Sequence, residues 1–100
     1  MQQQTPPYIA AMIKNDPKLE KHLGVTREFV MSDGALSAKV KTLMTLVCDA
    51  LLNHERGVGN IANRARSMGA TEEEIAEAVR VAFLMGGLPA LVAGCNAWRE

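Results

Sequence analysis

Residues 68–90, MGATEEEIAEAVRVAFLMGGLPA, decide how this chain folds. Thr71 followed three residues later by Glu74 is the pattern of a capping box, in which a hydroxyl and a carboxylate each satisfy an amide donor at a helix start. Ile75, Val79, Ala82 and Phe83 then recur at three- and four-residue intervals and predict one apolar helical face. Val81, Leu84 and Met85 make the second half of that helix apolar all round, which predicts burial on every side. Gly86-Gly87 breaks the run, and Pro89 starts a final helix carrying Leu88, Leu91, Val92, Cys95 and Trp98 on one stripe. On the other side, Gly69 stands where a preceding helix wants a left-handed C-terminal residue.

That preceding helix is predicted to begin near His54 or Glu55. Before it, Ser37 caps a central helix with Val40, Leu43, Met44, Val47 and Leu51 on one face and Lys41, Thr45 and Asp49 on another. Leu46, Cys48 and Ala50 widen the apolar arc, so most of this helix is expected to be buried. Ser32-Asp33-Gly34 is turn chemistry, with Gly34 able to supply a positive φ. Asp16-Pro17 reads as an N-cap with proline at the first helical position, opening a helix towards Val30. A short helix is expected from Tyr8, and residues 1–7, Gln-rich and ending in Pro-Pro, as a mobile arm. With no alternating strand pattern and no repeat of solenoid period, the chain is expected to be all-α, a single domain over residues 1–100.

The chain is 48% hydrophobic but only 4% aromatic, so its core must be built from Ala, Val, Leu, Ile and Met, which favours closely packed helices. A lone domain of 100 residues buries a modest share of its surface, which makes self-association an expectation. Eleven basic residues balance eleven acidic ones, so neither nucleic acid nor an anionic membrane surface is an expected partner. The N-terminus has no basic region leading into a long apolar run, and no bilayer-length apolar stretch follows, which reads as a cytoplasmic protein. Cys48 and Cys95 are too few for a disulfide scaffold and lie in no C-x-x-C or zinc spacing; both are expected to be reduced core thiols. No metal or cofactor is expected.

The motifs GALSAKVKTL and GATEEEIAEA, with MGGLPA leading into a last helix, resemble the carboxymuconolactone decarboxylase and alkyl hydroperoxide reductase D-like family over roughly the last two thirds of the chain. The resemblance implies an antiparallel helical bundle forming dimers to hexamers, a trimer of dimers foremost, with its site near the start of the helix after the central one. In the redox branch that helix opens with C-x-x-C, a histidine follows a turn later, and a glutamate on the preceding helix relays protons. A helix N-terminus stabilises thiolate, so the placement is chemically sound. Counted without a gap, the two cysteine positions fall here at His54 and Gly57, the histidine at Asn60 or Ile61, and the glutamate at Thr42. A gapped alternative sets Cys48 at the first cysteine and His54 at the histidine, leaving Leu51 at the second cysteine. Either way dithiol chemistry lacks its exchange partner. The histidine of the decarboxylase branch also falls at Ile61 or beside it.

His54 is therefore the candidate acid/base, because an imidazole titrates near neutral pH and this one sits at the family's site; the plainer alternative is a histidine bonding a nearby carbonyl. Thr42, Arg56, Gly57 and Asn60 are the candidate substrate-binding residues. Against them stand a Thr42 bonded back into its own helix, a solvated Glu55-Arg56 pair, and Gly57 and Gly59 conserving space for packing. HERGVGN lacks the second histidine of a zinc H-E-x-x-H site. Three functions follow. The first is a small-molecule enzyme or binder, lyase- or decarboxylase-like, for a small anionic molecule, with His54 in a closed cavity. The second is a non-catalytic oligomeric partner-binding module. The third is the peroxiredoxin or alkylhydroperoxidase-type activity that only the resemblance implies.

Overall fold

A computed structural model describes residues 7–99. Among them are six α-helices and a closing 3-10 helix, with no strand: α1 (Pro7–Asn15), α2 (Pro17–Met31), α3 (Ala38–Leu51), α4 (Glu55–Ser67), α5 (Glu72–Gly86), α6 (Leu88–Gly94) and the 3-10 helix Cys95–Trp98. The expected mobile arm lies outside the described residues except for Pro7, which opens α1. The chain divides into two compact units, Met1–Ser32 and Asp33–Glu100. None of the helices is long and apolar enough to cross a membrane.

In the first unit, Asp16 accepts from the Leu19 amide at 3.0 Å and Pro17 sets the first turn of α2, as the sequence predicts. Neither α1 nor α2 contains a buried residue.

The second unit carries the core. Its entry turn differs from expectation: Gly34 does not take a positive φ, and the turn is closed instead by Asp33, whose carboxylate accepts from the Ala38 amide at 2.7 Å. Ser37 then accepts from the Val40 amide at 3.1 Å and starts α3. At α5 both halves of the capping box form: the Glu74 amide donates to the Thr71 hydroxyl at 3.0 Å, and the Thr71 amide donates to the Glu74 carboxylate at 2.8 Å.

Two helices end in the same way. At α4, Gly69 takes φ +92°, the Ala70 amide reaches back to the Ala65 carbonyl at 2.9 Å, and the Gly69 amide to Arg66 at 3.0 Å. At α3, Asn53 takes φ 61°, the His54 amide reaches the Asp49 carbonyl at 2.8 Å, and the Asn53 amide reaches Ala50 at 3.2 Å. Both are Schellman terminations, which satisfy the orphan carbonyls of the last turn. The first is announced by a glycine. The second uses an asparagine, the non-glycine residue best suited to that conformation.

The core is a cluster of Leu46, Val58, Ile75 and Val79 among alanines 50, 62, 65, 70, 78, 82, 90 and 97, with Leu43, Val47, Ile61 and Leu91 packed against it. Small residues let the helix backbones approach closely: a Cβ on Gly94 would stand 3.0 Å from Val79 Cγ1, and one on Gly59 3.2 Å from the Asn96 carbonyl oxygen. Full burial of Leu46, Ile75 and Val58 contributes about 1.5–3 kcal/mol each.

This narrow core corrects several sequence expectations. The buried face of α3 is Thr42, Leu46 and Ala50; Leu43 and Val47 are partly buried, whereas Val40, Met44, Cys48 and Leu51 face outward. The second half of α5 is not enclosed: Val81, Phe83 and Met85 are exposed, and Leu84 is 80% exposed. On the last stripe Leu91 packs inward, but Leu88, Val92, Cys95 and Trp98 are exposed and the buried positions are Ala90, Ala93, Gly94 and Ala97. The physical reason is common to all three. Helices separated by alanine and glycine leave no room between them for large side chains, which are turned outward. Cys48 and Cys95 are consequently surface thiols, not core thiols.

Candidate functional site

The joint between α3 and α4 brings together a pair that the sequence reading separated. The Schellman turn folds residue 54 over residue 49, and His54 Nδ1 lies 3.1 Å from Asp49 Oδ1. A carboxylate only accepts, so the contact is a hydrogen bond in the tautomer that carries its proton on Nδ1, which leaves the lone pair on Nε2. The Asp49 side chain is about three-quarters covered, whereas His54 is 57% exposed. His54 precedes α4 without capping it through its side chain.

Gly57 explains why the carboxylate fits there. A Cβ at this position would collide with Asp49 Oδ2 and stand 3.2 Å from Asp49 Cγ. The glycine is thus a close-approach residue, and what approaches is the acid that orients His54. Arg56 and Asn60 are both exposed and, four residues apart on α4, share a face. Neither Arg56 nor Glu55 forms an ion pair among the described residues, so the expected solvated pair between them is not formed.

Thr42 is elsewhere. It is fully buried, its hydroxyl donates to the Ala38 carbonyl at 2.8 Å and lies 3.4 Å from Met68 Sδ, so it bonds back within its helix and supports packing under α4. Within a single chain it has no exposed surface. A closed cavity around His54 within a single chain is likewise not what the exposure of the imidazole gives. A groove lined by Asp33, Ser37, Ala38, Lys39 and Met68 opens at the start of α3, but its polar groups are already engaged in capping and in the Lys39–Glu74 ion pair at 3.0 Å.

The frame around the joint is fastened by surface charge. Arg66 donates through Nε and Nη2 to Glu72 at 2.8 and 3.0 Å, through Nη1 to Asn63 at 2.9 Å, and through Nη2 to the Ala97 carbonyl at 2.9 Å. It thereby ties α4 to the start of α5 and to the last turn of the chain. The hydrogen bond from Arg66 holds the Glu72 carboxyl below the usual carboxylate range. The Thr71 amide and then Lys39 do the same for Glu74.

The residue that sequence reasoning missed is Asp49. Helical spacing alone places it on a polar face of α3, and the signal that points to it is Asn53: a left-handed asparagine after a helix folds the next residue back over the one five positions earlier.

Comparison with known proteins places this frame. The uncharacterized protein MJ1511 of Methanocaldococcus jannaschii is 28% identical over 92 residues, which are 92% of this chain and 86% of that protein. The crystal structure of apo-lpg0406, a carboxymuconolactone decarboxylase family protein from Legionella pneumophila, superposes with a TM-score of 0.85 at 27% identity, over 90% of this chain and 80% of that one. The sequence model of the carboxymuconolactone decarboxylase family matches residues 17–100, which extends the likeness from α3 back to the start of α2. The chain belongs to the carboxymuconolactone decarboxylase family.

Proposed function

We propose that this chain carries out acid–base chemistry on a small carboxylated molecule at the Asp49–His54 pair, without a thiol step. The observation that supports this reading is the 3.1 Å contact between His54 Nδ1 and Asp49 Oδ1 at the start of α4. A carboxylate behind an imidazole fixes its tautomer, leaves Nε2 to take a proton, and stabilises the imidazolium that results. Arg56 supplies a charge for the substrate carboxylate, and Asn60, one turn on, supplies an amide for hydrogen bonding. In a decarboxylation the bond from carbon to carboxylate breaks, CO2 leaves, and the electron pair remains on a carbon conjugated with a carbonyl. The His54 imidazolium gives that carbon its proton and regains one from water.

The peroxide-linked alternative requires paired sulfurs, and the residues at the matching positions are His54 and Gly57. The second reading, a non-catalytic binding module, is favoured by the apolar side chains that α3, α5 and α6 turn outward.

Turnover of carboxymuconolactone and related carboxylated lactones by wild type, His54→Gln, Asp49→Asn and a Cys48→Ser/Cys95→Ser double variant separates these readings. His54→Gln is expected to lower kcat/KM by about 10²–10⁴ for any lactone the wild type consumes. The double serine variant is expected to retain the rate. Full activity in His54→Gln, or activity lost in the double serine variant alone, contradicts the proposal.

A further inference from the structure

The head of α4 is open, with the His54 side chain 57% exposed, so a substrate there is not held by enclosure. A single exposed contact between a guanidinium and a carboxylate holds little, because both ions are well solvated and salt screens the pair. Arg56 alone therefore does not fix a small acid beside the imidazole. The rest of the hold lies along the same helix.

Arg56, Asn60, Asn63, Arg64 and Ser67 recur at intervals of three and four and share the outward face of α4. Four of them are exposed, and Arg64 is partly exposed. This face holds no carboxylate and no apolar side chain. Neither the Arg56 nor the Arg64 guanidinium has an ion-pair or hydrogen-bond partner among the described residues. The acids that follow α4 are already committed: Glu72 to Arg66, Glu73 to Arg80 and Glu74 to Lys39. Between the two arginines the Asn60 amide is unengaged, and Asn63 spends its oxygen on Arg66, which leaves its N–H donors free. From Arg56 to Arg64 the helix rises about 12 Å.

We propose that Arg64 is a specificity-determining residue of this site and that the substrate is an extended dianion. One carboxylate lies at Arg56 beside the His54 imidazole, a second anionic group lies at Arg64, and oxygen acceptors between them face Asn60 and Asn63. The assignment of the reacting end rests on the acid–base reading of the Asp49–His54 pair. Two weak contacts made by one molecule reinforce each other, since the first holds the second group at a high local concentration. A compact acid reaches one arginine and gains nothing from the other.

Nuclear magnetic resonance titrations of the full chain at low salt test this, following the His54 imidazole and the Arg64 Nε–H signal. The probes are trioxaundecanedioate, an ether-linked diacid long enough to reach both arginines; diglycolate, its short counterpart; and methoxyethoxyethoxyacetate, which has one carboxylate. The long diacid is expected to shift both signals with one midpoint and to bind about tenfold tighter than either control. Arg64→Ala is expected to erase that preference. Arg64→Lys, which keeps the charge, is expected to retain part of it. Equal midpoints for the three probes, or a preference for the long diacid that survives Arg64→Ala, overturns the proposal. So does a long diacid that moves the Arg64 signal and leaves His54 unmoved. Undiminished turnover in His54→Gln would instead overturn the acid–base reading, while the length preference of the diacids decides the role of Arg64 by itself.

Discussion

Asp49 holds His54 twice: its carbonyl accepts the His54 amide at 2.8 Å, and its carboxylate meets the imidazole Nδ1 at 3.1 Å. The first bond belongs to the backbone termination of α3 and the second to the proposed chemistry, so one turn of chain sets both. The residue that permits this is Asn53, at φ 61°. Asn53→Ala places a side chain without local hydrogen-bonding capacity in the left-handed region and is expected to cost about 1 kcal/mol. Asn53→Gly relieves the same strain and is expected to be neutral or mildly stabilising. Urea unfolding of the two variants distinguishes them, and equal losses would show that the turn does not depend on the left-handed conformation.

Gly57→Ala separates the site from the fold. The added Cβ collides with the end of a flexible carboxylate, which can rotate aside, while alanine raises helix propensity within α4 by about 1 kcal/mol. Stability is expected to be retained or slightly raised, and the Asp49–His54 contact to be lost. Thermal melting combined with the imidazole resonances of His54 would reveal this division. A large fall in melting temperature would indicate that the Asp49 carboxylate cannot move.

At Gly86 the neighbours cannot yield so easily. A Cβ there would stand 2.6 Å from Leu51 Cδ2 and 2.7 Å from Ala90 Cβ. Ala90 is part of the α6 core contact, so Gly86→Ala is expected to destabilise by roughly 1–3 kcal/mol despite its better helix propensity. Gly24, in α2, has nothing within 4 Å of its absent Cβ, and Gly24→Ala is expected to stabilise its helix by about 1 kcal/mol. Opposite signs in denaturant titrations are the anticipated result.

Acid sensitivity is expected at the start of α5. Glu74 is held below its ordinary value of 4.5, first by the Thr71 amide and then by Lys39. A carboxylate depressed in the folded state adds stability that is fully present above its unfolded value and disappears as the pH falls through the folded one. Stability should therefore decline below the ordinary carboxylate range, and Glu74→Gln should flatten that decline. Unfolding curves collected across the acidic range provide the check, and an unchanged slope in Glu74→Gln would assign the acid response to other carboxylates.

The parts of the fold legible in the sequence were those fixed by local chemistry. Asp16-Pro17, Ser37, Thr71 with Glu74, and Gly69 each satisfy backbone groups within a few residues, and each stands where its residue type requires. Which apolar face turns inward was less legible. Helical spacing put Val40, Met44 and Leu51 with Leu43 and Val47, but the inner face was settled by how closely alanine- and glycine-rich helices approach, which left Thr42 inside and Met44 outside. The site was half legible for a similar reason. His54 stands out in the chain, whereas Asp49 acquires meaning only when Asn53 folds the joint back upon it.

The tautomer of His54 tests the central claim most directly. Nitrogen-15 chemical shifts of the imidazole report which nitrogen carries the proton. A protonated Nδ1 facing Asp49 with an unprotonated Nε2, a preference that Asp49→Asn abolishes, is the predicted result. A ring protonated at Nε2 in the wild type, or shifts that Asp49→Asn leaves unchanged, would contradict the account.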